Sequence, residues 1–161
     1  MTNQLDRTAN GDYELLLAQA EALLAAETDP IANAANLACL IFHSVDCLNW
    51  AGFYFLKGQE LVLGPFAGQL ACTRIAVGQG VCGTAFEKKQ TLVIDDVHQF
   101  SGHIACDAAS ESEIVVPFQC TASLKKHGGY AGVLDVDSPT KARFTDKEKE
   151  LFERLAALYS A

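Results

Sequence analysis

Asn49-Trp50-Ala51-Gly52-Phe53-Tyr54-Phe55-Leu56 and Glu60-Leu61-Val62-Leu63-Gly64-Pro65-Phe66, joined through Lys57-Gly58-Gln59, are the residues on which the fold turns. The pattern has a period of two on each side of a glycine-bearing turn, which predicts strands over 49–56 and 60–66 closed into a hairpin. Upstream the period is helical. Residues 13–27 place Leu16, Ala20, Leu23 and Leu24 on one face. Asp29 before Pro30 marks a second helix start, with aspartate as N-cap and proline in the first helical position. Its apolar stripe is Ile31, Ala34, Ala35, Ala38, Ile41, Phe42 and Val45.

Downstream of the hairpin the sequence predicts a strand over 69–77, a glycine-rich turn, a short helix near 81–89 and a strand over 91–94. Residues 95–112 have no clear period and are rich in Asp, Ser, Gly and His; a loop this long inside a compact domain is often functional. Strands over 113–119 and 129–137 follow. The last helix opens on the capping-box pattern Thr145-Asp146-Lys147-Glu148 and buries Leu151, Leu155 and Leu158. The order ααβββαβββα predicts one α+β domain over residues 1–161, an antiparallel sheet with helices packed on it and residues 1–12 as a flexible N-terminus.

Composition narrows the function classes. A chain of 161 residues, 50% hydrophobic and 20% charged, supports one buried core. Its net charge of −8 argues against nucleic acid and anionic membrane as partners. The first residues lack a basic stretch leading into an apolar one, and no apolar run reaches the length of a membrane span, so a cytoplasmic protein is expected.

Six cysteines need an account: Cys39, Cys47, Cys72, Cys82, Cys106 and Cys120. A reducing compartment disfavours a structural disulfide framework. Metal binding is the weaker reading, since there is no CxxC or HxH and the one close pair of ligand types is His103 with Cys106. Burial as small hydrophobes suits Cys39 and Cys47, which lie on and at the end of the second helix, better than it suits the other four.

Gly78-Gln79-Gly80-Val81-Cys82-Gly83 matches the glycine pattern of dinucleotide-binding turns, and the next strand ends in Asp95. Yet the helix is short and no further βα units follow. These glycines instead permit a tight turn into a helix, with Cys82 in its first turn, where the helix dipole favours a thiolate. No cofactor is called for. Strand parity puts Trp50, Gly52 and Tyr54 on one face, a gap between two aromatic walls suited to a small apolar group, although taken alone the pattern favours core packing for all of them. It likewise puts Asp135 and Asp137 on one face of their strand, close enough to raise each other's pKa, and Glu113 joins them if the two strands pair. A solvated edge would also explain the aspartates. A carboxyl held neutral near pH 7 can donate a proton, so the set suggests thiol chemistry assisted by a carboxylic acid.

The segments Asn49–Tyr54, Leu63–Phe66, Val77–Gly83, Asp95–His98, Gly102–Ser110, Ser112–Val115 and Gly132–Ser138 together resemble the free methionine-(R)-sulfoxide reductases, in order and densely over about residues 49–150. The resemblance implies the GAF fold and reduction of free methionine (R)-sulfoxide by cysteine thiols. It implies that Cys106 attacks the sulfoxide, that Cys72 resolves the sulfenic acid to a disulfide, and that Cys82 is a third, back-up cysteine. Trp50 and Tyr54 would wall the substrate methyl; Glu113, Asp135 and Asp137 would engage the sulfoxide oxygen. The backbone around Ile104 and Ala105 would take the substrate carboxylate. Thioredoxin is the implied reductant, and a homodimer through the helices is compatible with the fold. Two features depart from the family: the long turn Cys120–Gly129 with Lys125, Lys126 and His127, and the extra cysteines Cys39, Cys47 and Cys120. A GAF module that senses redox state or a small ligand without turnover is the alternative from another class.

Overall fold

The computed structural model describes residues 13–102, 108–121 and 130–161. Helices α1 (Tyr13–Ala25) and α2 (Pro30–Ser44) lead into strands β1 (Trp50–Lys57), β2 (Glu60–Gly68) and β3 (Arg74–Ala76). Helix α3 (Gly80–Lys88), β4 (Leu92–Ile94), a 3-10 turn over Val97–Gln99, β5 (Ser112–Phe118), β6 (Gly132–Ser138) and α4 (Asp146–Ser160) complete the chain. The six strands form one antiparallel sheet in the order β3-β2-β1-β6-β5-β4. The α+β expectation holds, and among the described residues no helix is long and apolar enough to cross a membrane.

Local chemistry sets the helix ends. Asp29 caps α2 as expected, its carboxylate accepting from the Ile31 and Ala32 amides at 2.9 Å, with Pro30 in the first turn. Thr145 and Glu148 form the full capping box of α4. Helix α1 stops two residues early because the Glu27 carboxylate turns back to accept from the Thr28 and Asp29 amides.

The sheet separates two apolar layers. On one side α1, α2 and α4 cover Ala51, Phe53, Phe55, Ile114, Val116, Leu134 and Val136. On the other, Val81, Cys82 and Ala85 of α3 meet Trp50, Tyr54, Leu61, Val115 and Val133. Helix α3 crosses this second face, joining edge strand β3 to edge strand β4. That antiparallel topology excludes a dinucleotide-binding βα repeat. The glycines before it do serve the turn: Gly78 and Gly80 adopt φ of +86° and +59°, and a Cβ on Gly83 would stand 2.3 Å from the Ala76 carbonyl oxygen.

Several expectations need correction. The buried arc of α2 is centred on Leu37, with Ile31 and Ala35 exposed, because the helix is clasped between the sheet and α1. Leu158 is half-buried beside α1, while Phe152 and Tyr159 enter the core. Cys39 and Cys47 are exposed, not core, and Cys47 sits at φ +60° just past α2. Cys120 is the buried structural thiol, donating to the Tyr130 carbonyl at 2.6 Å. The strand expected over 69–77 shrinks to Arg74–Ala76, since the Gln69 and Cys72 carbonyls accept from side chains of β1 instead. The turn residues Lys125, Lys126 and His127, and residues 1–12, lie outside the described residues.

Candidate active site

The second face of the sheet carries the chemistry. Strands β5 and β6 pair so that Glu113 lies opposite Asp137 and Val115 opposite Asp135, which puts all three carboxyls on the α3 side. Glu113 and Asp135 are each 7% exposed. The Cys82 thiol reaches Glu113 Oε1 at 4.0 Å. Asp135 Oδ1 is buried with no hydrogen-bond partner among the described residues. Asp137 Oδ2 accepts from the Ser110 hydroxyl at 3.0 Å, and Ser110 Oγ accepts from Asn49 Nδ2 at 3.0 Å. This chain of bonds ties the end of the 95–112 segment to β1 and β6.

Burial governs the protonation of the cluster. Loss of solvent pushes Asp135 up to about 7, partly offset by hydrogen bonds from Cys82 and Glu113. Glu113 is raised well above the usual glutamate range, first by burial and then by Asp135 and Asp137. Cys82 is raised too, by burial first and then by Asp135, Glu113 and Asp137. This overturns the thiolate expected at Cys82. A helix dipole contributes about 0.3–1 kcal/mol to an anion in the first turn, far less than burial beside three carboxyls removes.

The aromatic wall is a stack. Trp50 lies against Tyr54 with ring centres 5.9 Å apart and against Phe66 at 5.3 Å. The gap expected over Gly52 is filled by the indole itself: a Cβ there would stand 2.5 Å from Trp50 Cη2. Phe66 is the residue the sequence reading missed. One extra residue on β2 between Leu63 and Phe66, at Gly64-Pro65, shifts the register and turns both side chains to the same face. The signal was available, because proline inside a strand marks a bulge or an edge.

The stack also holds a loop. Trp50 Nε1–H donates to the Gln69 carbonyl at 3.1 Å, Tyr54 O–H to the Cys72 carbonyl at 2.8 Å, and the Leu63 amide to the Thr73 carbonyl at 3.0 Å. The last of these continues the β2–β3 ladder by one residue, whereas the Gln69 and Cys72 carbonyls are taken by side chains of β1. Cys72 is half-buried there and disulfide-bonded. Cys106, Ile104, Ala105 and His103 lie outside the described residues.

Two groups have metal-like spacing among the described residues: Cys82, Glu113 and Asp135, and separately Asp96, His98 and Glu111. The first mixes one soft ligand with two hard ones and has no imidazole. In the second, the Lys141 ammonium already sits 2.8 Å from Asp96 and 4.0 Å from Glu111.

Comparison with known proteins decides the family. The GAF domain model matches residues 19–161. The chain is 49% identical to the free methionine-R-sulfoxide reductase of Escherichia coli over 84% of this chain and 79% of that protein. The chain belongs to the GAF-domain free methionine-R-sulfoxide reductases. Protein YtsP of Bacillus subtilis is 51% identical, covering 90% of this chain and 86% of its own length. The free methionine-R-sulfoxide reductase of Neisseria meningitidis, solved in complex with its substrate, superposes with a TM-score of 0.83 at 41% identity, covering 92% of this chain and 86% of that one. Such identity extends the likeness beyond the fold.

Proposed function

We propose that this oxidoreductase reduces the R epimer of free methionine sulfoxide to methionine, with Cys106 as the attacking thiol, Cys72 as the resolving thiol and the buried carboxyls as the proton source. The observation that carries the reading is the pair Glu113 and Asp135, raised by burial so that a carboxylic acid persists near neutral pH. Sulfur attack on a sulfoxide expels oxygen only if that oxygen is protonated, and Asp135 Oδ1 offers a buried position without a partner among the described residues.

The Cys106 thiolate attacks the sulfoxide sulfur while an acid protonates the oxygen, giving methionine and a sulfenic acid on Cys106. The Cys72 thiol then attacks that sulfenic sulfur and releases water, forming a disulfide. Two thiols of a thioredoxin-type reductant return the pair to the reduced state. The disulfide at Cys72 supports this role. The stacked Trp50 and Tyr54 supply the apolar wall for the substrate methyl, Asp137 stands beside them, and backbone around Ile104 and Ala105 is assigned to the substrate carboxylate.

The test is turnover of both epimers, free and within a peptide, with thioredoxin or dithiothreitol as reductant. Free R-sulfoxide alone should be consumed. Cys106→Ser should form no methionine in a single turnover, whereas Cys72→Ser should form about one per chain and then stall with thioredoxin. A stoichiometric burst from Cys106→Ser, or equal rates on a peptide, would sink the proposal.

A further inference from the structure

Leu70 is the most exposed large hydrophobic side chain among the described residues, at 86%. A single exposed leucine ordinarily requires no explanation. This one stands two residues before disulfide-bonded Cys72, at the crown of the loop over residues 69–73. Its neighbours Ala71 and Cys72 pack inward against the second apolar layer, and Leu70 does not. The loop is fixed from beneath at three carbonyls, by Trp50, Tyr54 and the Leu63 amide. Leu70 is therefore displayed on a braced platform, so covering it costs little ordering of the backbone.

We propose that Leu70 is the docking contact for a dithiol protein reductant of the thioredoxin class, which seats an apolar surface on it and delivers its thiolate to the sulfur of Cys72. This rests on the resolving role of Cys72 proposed above. Thiol–disulfide exchange requires the attacking sulfur to reach bonding distance of the disulfide. A protein that brings a thiolate to half-buried Cys72 must lay its surface over residues 69–73, and Leu70 is the apolar group it meets there. The partner's thiolate attacks Cys72 Sγ, forming a mixed disulfide and releasing the other cysteine of the pair as a thiolate. The partner's second thiol then attacks its own sulfur in the mixed disulfide and frees Cys72. The partner leaves oxidised by two electrons, and this chain leaves with both thiols reduced. A small dithiol needs no such surface.

The experiment compares Leu70→Ser with wild type and with Ile31→Ser, which removes another exposed side chain on α2 in the opposite layer. Steady-state turnover of free methionine (R)-sulfoxide is driven either by thioredoxin or by dithiothreitol. In Leu70→Ser, kcat/KM for thioredoxin should fall about tenfold to hundredfold, the weight of one buried leucine side chain. Its KM for the sulfoxide and its dithiothreitol-driven rate should match wild type, and Ile31→Ser should match wild type throughout. A thioredoxin with its second active-site cysteine replaced by serine should trap a mixed disulfide at Cys72, more slowly in Leu70→Ser.

An unchanged kcat/KM for thioredoxin overturns the docking role while dithiothreitol turnover keeps the proposed reaction intact. A raised KM for the sulfoxide with dithiothreitol would make Leu70 a cover of the substrate pocket instead. Loss of a dimer by sedimentation would put it in a self-interface, and trapping at Cys106 would place the attack on the other sulfur; each overturns the proposal. Absence of turnover with either reductant in wild type would strike the proposed function itself.

Discussion

Replacing Asp135 by asparagine should make the protein more stable and less active, and the stability gain should grow with pH. Asp135 moves from an ordinary value of 3.8 to about 7 in the fold. A carboxyl whose folded value is raised binds its proton more tightly folded than unfolded. Stability is then lost as pH rises from about 4 to about 7, and the loss levels off above that. A displacement of roughly three units at about 1.4 kcal/mol per unit amounts to as much as about 4 kcal/mol at pH 8. At about pH 5.5 part of it is already present, so the gain of Asp135→Asn over wild type should increase by about 2 kcal/mol between pH 5.5 and pH 8.

Both conditions lie above the sequence pI of about 4.8, which keeps the chain anionic throughout. The asparagine amide can donate toward Glu113, and losing the neighbouring charge relieves Glu113 as well, which adds to the gain. Equilibrium urea unfolding at the two pH values measures the difference directly. In melting temperature it corresponds to several degrees more gain at pH 8, at about 2–4 °C per kcal/mol for a domain of this size. The reasoning is refuted if Asp135→Asn is no more stable than wild type at pH 8, or if its advantage is the same at both pH values.

Glu113→Gln should slow the first chemical step by about 10²–10⁴-fold while weakening binding far less, as for loss of one positioned acid; single-turnover rates near wild type would move the role to Asp135 or Asp137. The wild-type single-turnover rate should also fall as pH rises through about 7, where Asp135 loses its proton. Cys82 should resist iodoacetamide in the native protein at pH 8, because burial and three carboxyls keep it a thiol, while Cys39 and Cys47 react; rapid labelling of Cys82 by mass spectrometry would show that its thiol is accessible and ionised.

Much of this was legible in the sequence where a short-range rule had no competitor. Asp29-Pro30 and Thr145 with Glu148 specify helix starts from adjacent residues alone, and both starts form as expected. Parity on β1 and β6 sorted Trp50 from Phe53 and Asp135 from Leu134, because one shift of register would turn every side chain over. Parity brings Glu113 to the aspartates only if β5 and β6 pair, and they do. What failed was decided by partners distant in sequence. Leu37 lies at the centre of the buried arc because α1 covers that side of α2, which periodicity within α2 does not contain. The 69–73 segment reads as strand, yet the indole and phenol of Trp50 and Tyr54 take the Gln69 and Cys72 carbonyls. Cys82 has a helix start in its favour, and only the folded sheet reveals three carboxyls against it.

The bulge at Gly64-Pro65 shows how these distant effects connect. In an unbulged strand Leu63 and Phe66, three residues apart, would face opposite sides of β2, and Phe66 could not lie on Trp50. Gly52 must lack a side chain because Phe66 Cβ and the indole occupy the space its Cβ would take, at 2.4 and 2.5 Å. Glycine, proline and phenylalanine thus fix the plane of one indole. That plane directs Nε1–H at Gln69 and sets Tyr54, stacked beside it, to reach Cys72. The aromatic residues proposed for the substrate methyl therefore also hold the backbone of Cys72, the proposed resolving cysteine. Trp50, Tyr54 and the backbone of residues 69–72 are thus tied together by hydrogen bonds. A change at Trp50 or Tyr54 will consequently alter resolution along with binding, and separating the two requires single-turnover methionine formation to be read apart from disulfide formation.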